Sequence, residues 1–491
     1  MVKVLFKNPP LSQSSSDDRY KWVALTVASL GTLVGILNAS TLIIALPTMM
    51  VGLNTTLVNV MWVLISYMLV MTILAPACGR LADMYGRKKI YVYGLVIFTC
   101  ASLLCGIAAD VYQLIGFRVI QAIGGAIIVA NGTIIVVDAF PKHELGRAMG
   151  ILSMIMAGTF AIGPVIGGFL TLIDWRLNFF LNIPIGLFAS YYAIKNLKEV
   201  REFSGLESFD IKGMILFAIA FLTLTVYGSA AIMIGLFDPL MLALLLIGLV
   251  SLWGFIRQEL TFPYPMVDLS LFKSRIFLFG QSSAFINAIA RGAVMMLLIL
   301  FFQGLQGYDP LVASILVVPM AIGIVVAGPI GGSLSDRYGS RLITTIGLAV
   351  SLIGLIGLAM MQYDTAYYSI AVWLFINGFG SGLFQPPNTS AIMTSVPLER
   401  RGAASAMRAF FQNTGMVISM TIAMPLLIST VPLDEMMNMF VFGGVHQPIA
   451  IQVAFTHGIT LAFWISSVIT IFAIIVSALR GTGDTVKGIQ A

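Results

Sequence analysis

With 491 residues, 59% of them hydrophobic and only 10% charged, the chain departs far from the roughly 25% charged composition of a soluble globular domain, and its mean hydropathy of +0.98 makes lipid its solvent. A formal net charge of +6 invites a nucleic-acid reading, but the basic residues are spread over the ends of apolar runs instead of forming one patch, which argues against that class. Cys78, Cys100 and Cys105 lie in or beside apolar runs, give no disulfide framework and read as small buried hydrophobes.

The first 21 residues are polar and Ser-rich and read as a cytosolic tail without a cleavable leader. Fourteen apolar runs follow, each near the roughly 20 residues that cross a bilayer core. They cover 22–46, 59–78, 90–108, 113–137, 148–172, 179–195, 211–229, 239–256, 276–302, 311–332, 342–361, 367–394, 403–429 and 457–479. Unsatisfied backbone groups in lipid are costly, so each run is expected to be helical. With the N-terminus inside, every lysine and arginine except Arg118, Arg176 and Arg291 falls at an inner end. That asymmetry places both termini in the cytosol. The longest outer connection, 430–456, reads as a surface loop or a partial lid. The inner connection 257–275, with Pro263 and Pro265, is expected at the membrane surface.

A short charged loop, Gly79-Arg80-Leu81-Ala82-Asp83-Met84-Tyr85-Gly86-Arg87-Lys88-Lys89, separates the second and third runs. It returns as Gly332-Ser333-Leu334-Ser335-Asp336-Arg337-Tyr338-Gly339-Ser340-Arg341 between the tenth and eleventh. The same pattern twice, each time after an apolar run, reads as an internal duplication.

These residues resemble a known family. The 79–89 loop resembles the signature loop of the major facilitator superfamily. Leu42-Ile43-Ile44-Ala45-Leu46-Pro47 closes the first run, and Arg118-Val119-Ile120-Gln121-Ala122-Ile123-Gly124-Gly125 resembles the family's arginine segment in the fourth. Residues 158–168, with Gly158, Gly163, Pro164, Gly167 and Gly168, resemble the antiporter motif of the fifth. Trp175-Arg176-Leu177-Asn178-Phe179-Phe180-Leu181-Asn182-Ile183-Pro184 is similar to a segment of the fourteen-helix drug:proton antiporter branch. The resemblance implies an all-α polytopic membrane protein with the major facilitator fold: two six-helix bundles plus two extra helices, fourteen transmembrane helices in all. The expected divisions are a tail 1–21, a first bundle 22–196, a linker pair 197–274, a second bundle 275–479 and a tail 480–491.

The resemblance also assigns roles. Asp83, Gly86 and Arg87, and in the paler copy Asp336 and Arg337, are expected to gate the cytosolic side; the competing reading is topology alone. Gly163, Pro164, Gly167 and Gly168 are expected to form a hinge, or merely to pack. Arg118 lies inside a run and is linked in the family to proton coupling; the competing reading is an arginine snorkelling to the interface. Arg291 stands about 16 residues into the ninth run, roughly 24 Å along it, with Asn287 one turn before. Asn38, Arg118, Gln121, Asn287, Arg291, Gln385 and Asn388 are therefore the expected substrate-cavity and coupling residues. The branch usually carries an aspartate where Asn38 stands, and no Asp or Glu lies deep in any run. An amide does not titrate, so the proton carrier stays unassigned and a neutral or anionic amphiphile is favoured over a dication.

The expected function is secondary active transport by alternating access, as a proton-coupled multidrug or amphiphile exporter of the plasma membrane. The alternative is an exporter or flippase of an anionic amphiphile or lipid; a non-transporting sensor is a weaker third reading. No enzyme activity, catalytic residue, metal or cofactor is expected. The partners are a small amphiphilic substrate, protons and the bilayer, without nucleic acid, and the chain reads as a monomer.

Overall fold

The computed structural model describes residues 18–141, 144–199, 210–262, 265, 269–396, 401–442 and 447–481. Helices dominate throughout, and thirteen of the described ones are long and apolar enough to cross a membrane. The chain is a multi-pass membrane protein. A further helix, Tyr367–Thr394, corresponds to the twelfth expected span; it is 28 residues long and carries Asn377, Ser381, Gln385, Asn388 and two prolines.

The chain divides into two compact units, residues 1–267 with 309–312, and residues 268–308 with 313–491. The first holds α1 (Asp18–Gly52), α2 (Leu57–Tyr85), α3 (Arg87–Gly106), α4 (Val111–Ala139), α5 (Leu145–Ile173), α6 (Leu177–Phe180), α7 (Asn182–Asn196), α8 (Ile211–Ile234) and α9 (Pro239–Thr261). Starts follow capping chemistry. Asp110 Oδ1 accepts from the Tyr112 and Gln113 amides, and Asp238 caps a helix opened by Pro239. Between α2 and α3 the chain turns on Gly86 alone, at φ +98°. That backbone region favours glycine, as the repeated loop requires. The copy behaves alike: Gly339, at φ +86°, is the single residue between two helices of the second unit.

The second unit contains α10 (Arg275–Arg291), α11 (Val294–Leu300), a π-helical turn (Phe301–Leu305), α13 (Val318–Tyr338), α14 (Ser340–Ala359), α15 (Tyr367–Thr394), α16 (Arg401–Thr430), α17 (Leu433–Phe442) and α18 (Ile449–Ala478); the short α12 (Pro310–Leu316) precedes α13. The duplication is visible in the packing. In the first unit α4 packs on α2 and α3, α1 on α5, and α3 on α7; in the second, α15 packs on α13 and α14, α10 on α16, and α14 on α18. Helices α8 and α9 pack on each other, with α8 also against α2. Most of α9 presents bare apolar side chains outward, among them Leu246, Val250, Trp253 and Leu260, as a helix bathed in lipid must.

Three expected spans are interrupted. The sixth consists of α6 and α7 separated at Leu181, the ninth breaks at Gly292–Ala293, and the tenth breaks at Val317. Hydropathy is continuous across all three, so periodicity carries no sign of them. The connection expected on the outer side, 430–456, is not all loop in its described residues. It contains α17, whose Met436 and Met439 are buried, and α17 packs on the π-helical turn.

Candidate functional site

In the first unit the expected polar residues converge on Arg118. This arginine is the eighth residue of α4 and is 1% exposed. Its guanidinium is not turned to a headgroup region; it is held inside by four helices. Nε donates to the Val63 carbonyl of α2 at 3.0 Å, and Nη1 donates to Asn38 Oδ1 of α1 at 3.2 Å and to Gln121 Oε1 one turn along α4. The Tyr67 ring lies 4.1 Å from Cζ and the Phe179 ring 5.9 Å. Gln121 is fixed in turn by donating to Ser102 Oγ of α3 at 2.7 Å.

Asn38 Oδ1 is the hub. Besides Arg118 it accepts from Gln121 Nε2 and from Asn182 Nδ2 of α7, each at 3.4 Å. Asn182 also donates to the Asn178 carbonyl, and Asn178 Nδ2 donates to Thr171 Oγ1 at 2.8 Å. All of these amides are essentially buried. A buried cation costs several kcal/mol unless compensated. Here the compensation comes from three neutral oxygens and two aromatic faces. Among the described residues, no carboxylate touches Arg118; the ion pairs Lys21–Glu144, Arg87–Asp138 and Arg176–Asp174 lie at or beyond helix ends.

Gly163 and Gly167 seat α5 on α1 just past Asn38. A Cβ at Gly163 would collide with the Ser40 hydroxyl, and one at Gly167 would stand 2.6 Å from Thr41 Cα. Pro164 and Gly168 are buried beside them, and α5 runs unbroken through Pro164.

The repeated loop differs between its copies. Arg87, the first residue of α3, pairs with Asp138 near the end of α4. The Lys88 amide donates to Glu199 Oε1 at 3.3 Å, and the Glu199 carboxylate rests against Gly86. Asp83 belongs to α2, but its side chain lies outside the described residues. In the copy, Asp336 and Arg337 are exposed and make no ion pair with any described residue. Ser340 stands where the first copy has Arg87, so the pairing cation itself is missing.

The second unit does not gather its expected residues. Arg291 closes α10 at the Gly292–Ala293 break, is half-buried, and makes no hydrogen bond or ion pair with a described residue. The break is stabilised from α16, where Ser419 Oγ accepts from the Ala293 amide at 2.9 Å. Asn287 is buried one turn earlier and Gln385 is half-buried on α15. Asn388 is engaged elsewhere: it donates to the Gly280 carbonyl at 3.1 Å and accepts from Arg480 Nη1 at 2.8 Å. Sequence reasoning assigned no role to Ser102, Asn182 or Arg480. The i, i+4 spacing of Asn178 and Asn182 was the one available signal for the amide chain.

The model of the Major Facilitator Superfamily matches residues 28–420 and, in a second match, 282–488. The chain belongs to the major facilitator superfamily. It is 33% identical to the riboflavin transporter RibZ of Clostridioides difficile over 80% of this chain and 86% of that one. It is 31% identical to the multidrug transporter protein MdtP of Bacillus subtilis over 72% of this chain and 66% of that protein. Against the multidrug resistance protein Stp of Mycobacterium tuberculosis the identity is 28%, over 82% and 75%. Among solved structures, a bacterial homologue of the human lysosomal transporter Spinster, inward-facing and unoccupied, superposes with a TM-score of 0.63 at 16% identity, covering 94% of this chain and 97% of that one. These structural likenesses speak for the fold. The family is one of transporters, not enzymes, and this superfamily member is a transporter.

Proposed function

We propose that this major facilitator protein exports a small neutral or anionic amphiphile across the plasma membrane by alternating access, with its termini in the cytosol. The observation that carries the reading is the Arg118 cluster: a fully buried guanidinium held by Asn38, Gln121 and a backbone carbonyl, where a carboxylate would have cancelled its charge. At an effective dielectric near 20, a substrate cation about 8 Å away meets a repulsion of about 2 kcal/mol per charge. That is roughly a 30-fold handicap per charge, doubled in free energy for a dication. The relative named a riboflavin transporter supports a planar uncharged substrate, and the relatives named multidrug transporters support a tolerant one.

Two bundles, 22–196 and 275–479, form the moving parts in this reading, with the linker pair 197–274 between them in sequence. Asp83, Gly86 and Arg87, with Asp336 and Arg337, bias which state is populated; Gly163, Pro164, Gly167 and Gly168 let α5 shift on α1. Asn287, Arg291 and Gln385 serve substrate in the second bundle. Proton exchange is the expected drive, through a group other than Asn38, and the protein acts as a monomer.

The test is transport by the purified protein in proteoliposomes under an imposed pH gradient, with a flavin, an amphiphilic anion and a lipophilic dication in parallel. The flavin or the anion is expected to move and the dication to lag. Asn38→Asp, which sets a carboxylate against Arg118, is expected to narrow the anion-over-cation preference by roughly 10-fold or more. Movement of the dication alone, with selectivity unchanged in Asn38→Asp, would overturn the proposal.

A further inference from the structure

Arg480 lies two residues beyond the end of α18. A basic residue after the last apolar run is expected to be solvated, yet Arg480 is only 2% exposed. Its guanidinium folds back over α10 at Gly280. A Cβ there would stand 2.5 Å from Nη2 and 3.0 Å from Cζ, so glycine is what leaves the guanidinium its seat. Asn388 of α15 locks the arrangement, accepting from Nη1 at 2.8 Å while donating to the Gly280 carbonyl at 3.1 Å. Three helices of the second unit thus converge on one arginine.

Half of that arginine is unspent. Nε and Nη2 are buried and have no hydrogen-bond partner, and no described carboxylate lies within ion-pair distance. Burial pushes the group down to about 10, so it remains charged at neutral pH. A buried cation left with unmet donors costs several kcal/mol. The bare edge is also the informative one. Nε and Nη2 form a side of the planar fork whose two parallel N–H groups match the two oxygens of a carboxylate or phosphate. The surroundings favour an anion further. Ser477 of α18 hydrogen-bonds Thr344 and Thr345 of α14, which places this end of α18 beside the start of α14. Exposed Lys273, Arg275 and Arg341 lie at or just before the starts of α10 and α14, with Arg337 and the carboxylate of Asp336 at the end of α13, so the described charges at this end are four cations to one anion.

We propose that Arg480, Asn388 and Gly280 form an oxyanion-binding site in the second unit, with a phosphate group accepting from the Nε–Nη2 edge of Arg480. The phosphate belongs either to free inorganic phosphate or to an anionic lipid headgroup; the recognising chemistry is the same. The site is separate from the Arg118 cluster and does not depend on the substrate reading.

The experiment is thermal unfolding of the purified full chain. One arm titrates inorganic phosphate against chloride at constant ionic strength in detergent. The other compares nanodiscs of neutral lipid with nanodiscs containing phosphatidylglycerol. Wild type is expected to gain Tm in a saturable way in at least one arm, and the responsive arm identifies the source. Arg480→Gln should weaken that response roughly 10-fold or more, as loss of a bidentate charged contact predicts. Asn388→Asp, which neutralises the guanidinium from within through the Nη1 contact while giving up the donor to the Gly280 carbonyl, should remove the response to added anion. Should Arg480→Gln fail to fold, Asn388→Asp alone decides. Wild type indifferent to both phosphate sources, or Asn388→Asp responding as wild type does, would overturn the proposal.

Discussion

Arg118→Ala is expected to cut reconstituted transport by about 100-fold, the equivalent of two charge-assisted hydrogen bonds worth about 3 kcal/mol together. The guanidinium ties α4 to α1 through Asn38 and to α2 through Val63, so its loss unfastens three helices at once. Stability should change less than transport. The Val63 carbonyl and Gln121 Oε1 each lose a donor, at about 1–3 kcal/mol apiece, but removal of a desolvated charge offsets part of that. Arg118→Lys separates charge from geometry. An ammonium keeps the positive sign but is a compact point charge without the fork, and cannot span the Val63 and Asn38 oxygens in the same way. It is expected to retain the proposed anion preference with transport roughly 10-fold below wild type. Uptake by Arg118→Ala at the wild-type rate would remove the cluster from the mechanism.

Gly378→Ala and Gly380→Ala should each prevent accumulation of folded protein. Both glycines lie on α15 but face different neighbours. A Cβ at Gly378 would collide with the Met320 carbonyl oxygen of α13, and one at Gly380 with the Ser351 amide of α14. The obstructing atoms are backbone, which cannot swing aside as a side chain does, so a whole helix must retreat. Overpacking in a tight core typically costs about 1–3 kcal/mol, and forced separation of two main chains belongs at or above the top of that range. Gly332→Ala is the matched control, since a Cβ there meets nothing within 4 Å. The measurement is the yield of monodisperse protein by size exclusion in detergent. Equal yields for Gly378→Ala and Gly332→Ala would show that α15 has slack the close approach does not suggest.

Much of the architecture was legible from the chain. Lipid forces backbone groups to be satisfied internally, so apolar length alone locates the helices. The repeated glycine-ended loop marks the duplication, and both of its terminal glycines adopt the left-handed backbone that the pattern requires. Arg118 was legible because a cation within an apolar run needs a reason. The breaks were not. Gly292–Ala293 interrupts a run of uniform hydropathy, and what stabilises it, the Ser419 hydroxyl, is 126 residues away. Arg480 shows a second limit: charge distribution says on which side of a bilayer a residue belongs, not whether it is solvated there. Nor does residue type reveal who shares an acceptor. Asn38, Gln121 and Asn182 are ordinary amides in the sequence, and only the fold makes one oxygen serve three donors.

That shared oxygen leaves the protein one substitution away from a different electrostatic character. Codons for asparagine and aspartate differ by a single base, and an aspartate at position 38 would present the same oxygen to the same donors. The scaffold would need no rebuilding, because every partner is already in place. On the proposed reading, cells carrying this gene and grown under sustained pressure from a lipophilic cation have a short mutational route to a cation-tolerant transporter, and residue 38 is where sequencing of the survivors should find it.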